Sequence, residues 1–327
     1  VTRTELALAA FAAAAVLALL LTPLSARLAT AVGMVDHPGG RRLHARDIPL
    51  GGGIALFLAI LVPTAVFAPS PRTEAYEAIL AGAAACLLLG LADDRFGLPP
   101  WAKLGGQIGA AAIPVWIGAT TIDHFTVPFV PPLSLGAWQY PVTILWIVAL
   151  MNVFNFIDGM DGLAAGVGAI SGATFAILAL SLNRGTPAVL AAALAGACLG
   201  FLRHNFHPAR VFMGDAGALV LGFLLATVSV QGVLKTAAAV AVAFPLLVLF
   251  VPILDGSFVV LKRLKYRQPV WRADSSHLHH RFARVGWGQR QAAFLLYAWC
   301  LALAGFALAV RFIHYRTHGH QHWGATV

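Results

Sequence analysis

Two amides and two carboxylates interrupt an apolar run in the stretch NVFNFIDGMDGLAAG, Asn152 to Gly166. Asn152 and Asn155 are three residues apart and Asp158 continues the spacing, so on a helix the three share one face. Gly159 and Gly162 permit a tight turn that swings Asp161 inward. Oxygens gathered in this way suit a hard divalent cation such as Mg²⁺. Capping across a short turn, with Asp161 as the cap of the next helix, explains one or two of these residues but not four.

Further clusters have the same character. LGLADDRFGLPPWAKLGGQ carries Asp93 and Asp94, adjacent like charges that a cation would relieve. As ordinary residues they would punctuate a helix end. Lys103 follows them, either snorkelling to a membrane interface or meeting a phosphate. In HNFHPARVFMGDAGALVLGF, Asp215 lies between Gly214 and Gly217 at the start of a helix. Free N–H groups there can receive a phosphate, and an aspartate there is also an ordinary N-cap. RADSSHLHHRFARVGW gathers His277, His279, His280 and Arg281. The spacing is poor for zinc and suits an anionic, sugar-bearing ligand better, with a solvated surface as the plain alternative. Arg41, Arg42 and Arg46 read as loop charges, and Gly51, Gly52 and Gly53 as sites of close helix packing. Asp255 is a buried acid that Lys262 or Arg263 could pair.

These residues need elements to hold them, and composition says of which kind. Of 327 residues, 59% are hydrophobic and 11% charged, whereas a soluble domain carries roughly 25% charged residues. The chain therefore reads as an all-α integral membrane protein. A span needs about 20 apolar residues. Ten runs qualify, near 5–28, 52–68, 77–92, 102–118, 140–155, 163–182, 188–203, 216–231, 236–261 and 291–313. The first is read as a retained span and not a leader. No internal repeat or soluble domain boundary divides the chain, so residues 1–327 are read as one polytopic domain. Alternate loops (26–51, 93–103, 152–162, 203–215 and 262–290) hold 16 of the 22 Lys and Arg. The positive-inside rule puts that set in the cytoplasm and both termini outside. The acids of those loops are all Asp, whose short side chain fixes a carboxylate near the backbone. Every cluster above lies on that side, where it can line a cleft open to cytosol and touching lipid. The net charge of +9 thus reports orientation and not nucleic acid. Residues 119–140 suggest a short external hairpin. Cys86, Cys198 and Cys300 read as packing residues, and His314, His318, His320 and His322 as part of a frayed terminus.

The motifs ADD with Lys103, NVFNFIDGMDGLA, FMGDAGA and HLHH, in this order over residues 35 to 285, resemble those of the polyprenyl-phosphate N-acetylhexosamine-1-phosphate transferases. HLHHR and VDHPGGRRLH resemble the branch that uses UDP-N-acetylglucosamine. Ala218 departs from the family's usual Ser, which removes one hydroxyl. The resemblance implies that a polyprenyl phosphate, undecaprenyl phosphate foremost, attacks a UDP-sugar and releases UMP at a bacterial inner membrane. It implies Mg²⁺, for which Mn²⁺ could substitute, with Asp215 as leading ligand and Asn155 as second. It casts Asp93, Asp94 and Asp158 as catalytic, and Lys103, Asn152, Asp161, His279, His280 and Arg281 as substrate-binding. Asp93 is either the base for the lipid phosphate or its positioning group, and direct displacement competes with an aspartyl-phosphate route. A homodimer is compatible with this reading. The alternatives are the peptidoglycan branch, with a UDP-N-acetylmuramoyl-pentapeptide donor, and a secondary transporter, whose internal repeat is lacking.

Overall fold

Thr2 and Glu5 open the first helix with a capping box. The Thr2 hydroxyl accepts from the Glu5 N–H at 3.2 Å, and the Glu5 carboxylate accepts from the Thr2 N–H at 2.9 Å. From there an Ala/Leu-rich run, with Pro23 inside it, carries α1 over Arg3–Ala31, about 43 Å at 1.5 Å per residue. The computed structural model describes residues 1–38, 46–69, 74–118, 120–125, 133–234, 243–266, 286–312, 315–317 and 320–322. Within them follow α2 (Gly52–Phe67), α3 (Glu74–Phe96), α4 (Pro100–Trp116), α5 (Gln139–Ile157), α6 (Leu163–Ser181), α7 (Gly185–Asn205) and α8 (Gly214–Ser229). A π-helical turn continues α8 over Val230–Leu234, and α9 (Ala243–Val248), α10 (Phe250–Lys265) and α11 (Gln289–Phe312) complete the helices.

The chain is a multi-pass membrane protein, and the ten expected spans are of two kinds. Seven described helices are long and apolar enough to cross a bilayer: α1, α3, α5 with its 3₁₀ lead-in, α6, α7, α8 with its π turn, and α11. The runs at 52–68 and 102–118 form α2 and α4, of 16 and 17 residues. The run at 236–261 is not one helix in its described part. It breaks between α9 and α10, where Pro252 has no N–H to offer the carbonyl of Val248 and its ring crowds that carbonyl.

Three short antiparallel pairs join the helices. Val35–Asp36 (β1) pairs with Ile48–Pro49 (β2) between α1 and α2, and His124–Phe125 (β3) pairs with Leu133–Ser134 (β4) between α4 and α5. Tyr315–Thr317 (β5) pairs with His320–His322 (β6) after α11, so His320 and His322 lie in a paired strand where a frayed end was expected, while His314 and His318 lie outside the described residues.

Small residues set the packing. The buried stripe of α1 is Ala7, Ala10, Ala14 and Ala18, while Leu8, Leu20, Leu24 and Leu28 face outward. Lipid offers no hydrophobic drive for helices to associate, so close backbone approach supplies the contact. A Cβ on Gly196 or Gly200 of α7 would strike the Phe11 or Ala15 carbonyl of α1. At the centre lies α8, with every residue from Ala216 to Ser229 buried, as a helix apolar on all sides must be. Gly53 of α2, Gly90 of α3 and Gly222 of α8 allow this enclosure. A Cβ on Gly53 would lie 2.5 Å from the Gly217 nitrogen, and one on Gly222 would lie 2.6 Å from the Leu150 carbonyl of α5. The glycines at 51–53 thus serve the close packing expected of them.

Both ends of the helical chain are fastened to the C-terminal end of α6. Arg3 donates to the Asn183 carbonyl at 2.8 Å, and Arg311 donates to the Ser181 carbonyl and hydroxyl, each at 3.0 Å.

Candidate active site

Lys103 is the centre of a cluster drawn from four helices at one end of the bundle. It lies in the first turn of α4, which Pro100 starts. Its ammonium contacts Asp93 Oδ2 of α3 at 2.7 Å and the carboxylate of Asp215 in the first turn of α8. It also donates to Asn155 Oδ1 of α5 at 3.5 Å. Asn155 in turn donates through Nδ2 to Asp215 Oδ1 at 2.6 Å. The Lys103 and Asp93 side chains are mostly buried, and Asp215 keeps 30% of its side-chain surface exposed. The two halves of the expected metal pair therefore meet, with the expected phosphate-binding lysine against them.

The two adjacent aspartates of α3 have different tasks. Asp93 accepts from the Leu98 N–H at 2.7 Å, closing the turn that follows α3, and its other oxygen holds Lys103. Asp94 turns both oxygens to the start of α8, accepting from the N–H of Asp215 at 2.8 Å and of Ala216 at 3.1 Å. Free N–H groups and the positive end of the helix dipole are what a carboxylate meets there. Gly214 makes the approach possible. Its φ is +65°, and a Cβ would lie 2.5 Å from Asp94 Oδ2. Asp94 thus reaches Asp215 through the backbone that carries it.

Asp158 caps the C-terminus of α5 beside the cluster. Burial, and after it the charges of Asp215, Asp94 and Asp161, push its carboxyl well above the usual carboxylate range. Asn152 shares the α5 face with Asn155 but lies one turn deeper. Its amide donates to Gln107 Oε1 of α4 and to the Val148 carbonyl, both at 2.8 Å.

Asp161 looks away from the cluster, towards the turn after α7. It accepts from the Ala209 N–H at 3.0 Å and contacts His207 Nδ1 at 2.8 Å. The cap position of α6 is taken by Gly162 at φ +77°, not by Asp161. Around that turn Asn205 accepts from the Gly162 N–H at 3.1 Å and donates to the Val211 carbonyl at 3.0 Å, and the Tyr297 hydroxyl of α11 donates to the Gly162 carbonyl at 2.6 Å. Sequence reasoning missed Gln107, Asn205, His207 and Tyr297. A lone Gln in an apolar run was the available signal for the first. Arg263 of α10 stacks 5.8 Å over the Phe156 ring, next to Asn155. His277, His279, His280 and Arg281 lie outside the described residues, as does the Asp255 side chain.

The oxygen set fits Mg²⁺. Among the described residues no three His, Cys, Asp or Glu side chains form a closed cage. Mg²⁺ takes one or two carboxylates and draws its other ligands from phosphate and water. Asp215 offers one carboxylate, and Asn155, hydrogen-bonded to it, one amide oxygen.

The chain is similar to known proteins along most of its length. The model for glycosyl transferase family 4 matches residues 76–233, from the start of α3 to the π turn. The chain is 37% identical over 303 residues to a probable undecaprenyl-phosphate N-acetylglucosaminyl 1-phosphate transferase of Bacillus subtilis, covering 92% of this chain and 82% of that protein. It is 33% identical to the decaprenyl-phosphate N-acetylglucosaminephosphotransferase of Mycobacterium leprae, covering 99% of this chain and 88% of the relative. A phospho-N-acetylmuramoyl-pentapeptide-transferase of Moorella thermoacetica is 36% identical over 83% of this chain and 86% of its own length. With the family model matched over residues 76–233 and relatives 33–37% identical over more than four fifths of their own lengths, the chain belongs to glycosyl transferase family 4.

Proposed function

We propose that this protein transfers N-acetylglucosamine 1-phosphate from UDP-N-acetylglucosamine to a polyprenyl phosphate, foremost undecaprenyl phosphate. The products are UMP and a polyprenyl-diphospho-N-acetylglucosamine for cell-envelope glycan synthesis. The observation that carries this reading is the clasp of Lys103 between Asp93 and Asp215, with Asn155 on Asp215. Two curated relatives with N-acetylglucosaminyl phosphate activity in their names support the donor.

The chemical problem is anion meeting anion. An oxygen of the lipid phosphate attacks the phosphorus that bears the sugar, and the bond from that phosphorus to the bridging oxygen breaks, so UMP leaves with that oxygen. Mg²⁺ held by Asp215 and Asn155 supplies charge neutralisation of the diphosphate when bound. Lys103 steadies the same phosphates as a point charge, and Asp93 aims it. A phosphate monoester has a second pKa near ~6 and is mostly dianionic at neutral pH, so the attacking oxygen needs little help from a base. Asp93, already committed to Lys103 and the Leu98 N–H, acts by positioning. Direct displacement follows more simply than an aspartyl-phosphate, since Asp94 is engaged with the amides of α8. Trp101 and Leu104, on the exposed side of α4 around Lys103, put apolar surface where the polyprenyl tail would run. His279, His280 and Arg281 would face the sugar or phosphates. The cluster faces the cytoplasm on this reading, with both termini outside.

The match to the Moorella thermoacetica relative supports a second donor, UDP-N-acetylmuramoyl-pentapeptide. Purified protein with undecaprenyl phosphate and each UDP-sugar in turn decides between them. Mg²⁺-dependent UMP release is expected with UDP-N-acetylglucosamine, falling by about a hundred-fold or more in Asp215→Asn. Turnover confined to the pentapeptide donor would overturn the donor assignment, and no UMP from either would overturn the reaction.

A further inference from the structure

Gln107 is a primary amide in the middle of an apolar helix and is 1% exposed. A buried amide with no partner is unfavourable, and both polar atoms of the Gln107 amide are partnered. It accepts from Asn152 Nδ2 at 2.8 Å, and its own Nε2 donates to Asn152 Oδ1 at 3.4 Å. The two amides face each other across the α4–α5 contact as a reciprocal pair.

Position gives this pair its consequence. Gln107 is one helical turn beyond Lys103 on α4, and Asn152 is one turn before Asn155 on α5, so the pair lies one layer beneath the cluster. Sliding α4 along α5 by one residue is a movement of about 1.5 Å, enough to break both bonds and leave two amides facing hydrocarbon. The segment between Lys103 and Gln107 contains Gly105 and Gly106, which lower the stiffness of that turn. A Cβ on Gly105 would meet nothing within 4 Å, so no neighbour braces that face. The Gln107–Asn152 pair is the described polar contact that ties α4 to α5 at this depth.

We propose that Gln107 is a positioning residue for the transferase. By its amide pair with Asn152 it fixes the axial register of α4 on α5, and so holds the Lys103 ammonium on Asp215 and Asn155. Asn152 then acts through Gln107 and not on substrate. The inference rests on the transferase reading for its effect on turnover, but the register itself can be read without turnover.

The test is a length swap. Gln107→Asn shortens one arm by a methylene, Asn152→Gln lengthens the other, and the double variant restores the summed reach. Two readouts are taken on detergent-purified full-length protein: the kcat for UMP release, and the yield of the carbodiimide cross-link between Lys103 and Asp215 measured by mass spectrometry. Each single variant should lose about ten-fold or more in kcat, as misplacement by an ångström can cost up to ~100-fold, and the cross-link yield should fall with it. The double variant should recover both to within about three-fold of wild type, the signature of a coupled pair. The proposal is overturned if the double variant is no better than the worse single, if the singles match wild type, or if kcat falls with the cross-link undiminished. That last result would put Asn152 on the substrate. A wild type that cross-links but releases no UMP refutes the transferase reading, and the cross-link series alone then judges the register.

Discussion

The aspartates of the cluster differ in what their carboxylates touch, and each contact predicts a different response to substitution. Asp94→Ala leaves the N–H groups of Asp215 and Ala216 without their acceptor, a cost of about 1–3 kcal/mol. Asp94→Asn keeps one acceptor oxygen and should lose less. Thermal unfolding in detergent checks the order, and equal activity loss with unchanged stability in both variants would contradict the anchoring role. Asp158 predicts a pH effect. Its carboxyl is raised above the ordinary aspartate value of 3.8 by burial and by Asp215, Asp94 and Asp161. The folded state then holds the proton more tightly than the unfolded chain, and stability falls as pH rises from the ordinary value through the raised one. With Mg²⁺ chelated, the thermal midpoint of the wild type should drop over that window relative to Asp158→Asn. Parallel curves for the two proteins would show that Asp158 meets no such environment. That these side chains would gather in one place was legible beforehand. Lys103, Asn155 and Asp215 stand at the ends of apolar runs that share one side of the membrane by the count of Lys and Arg, which is what brought them together in the reading. Asp161 was less legible, because its partners Ala209 and His207 come from a turn distant in sequence and no spacing rule reaches them.

At the scale of elements, the first turn of α8 decides the site. Gly214 takes φ +65° there, and its missing Cβ leaves room for the Asp94 carboxylate. Gly214→Ala should cost about 1–3 kcal/mol from the backbone alone, and should also push Asp94 off the helix start, lowering UMP release by about ten-fold or more. An alanine variant with wild-type turnover would show that the approach of α3 to α8 is not needed. Apolar run length located the helices well because membrane helices must satisfy their backbone internally. It failed at 236–261, where Pro252 stops a helix that hydropathy continues. It was silent about Gln107, since one amide hardly alters the hydropathy of α4, and whether such an amide is paired depends on a helix it cannot foresee.

For the whole molecule, the contacts of Arg3 and Arg311 with the end of α6 place both ends of the helical chain opposite the Lys103 cluster. With Arg95, Arg203 and Arg210 at the cluster end of the bundle, sidedness can be tested directly. Cys86, Cys198 and Cys300 are buried, so a new surface thiol would be labelled on a quiet background. In intact cells a membrane-impermeant maleimide should label Arg184→Cys and spare Arg210→Cys, two exposed positions at opposite ends of α7. The reverse pattern would invert the molecule. The enclosure of α8 has a further result. Lipids of different acyl length act on helices that touch them, and here those include α1 and α11, which show Leu8, Leu20, Trp299 and Phe306 to the surroundings. No side of α8 from Ala216 to Ser229 is available to them. The thickness of the very bilayer that delivers the second substrate therefore reaches Asp215 only through the helices that surround it, among them α3 and α4, which carry Asp93 and Lys103.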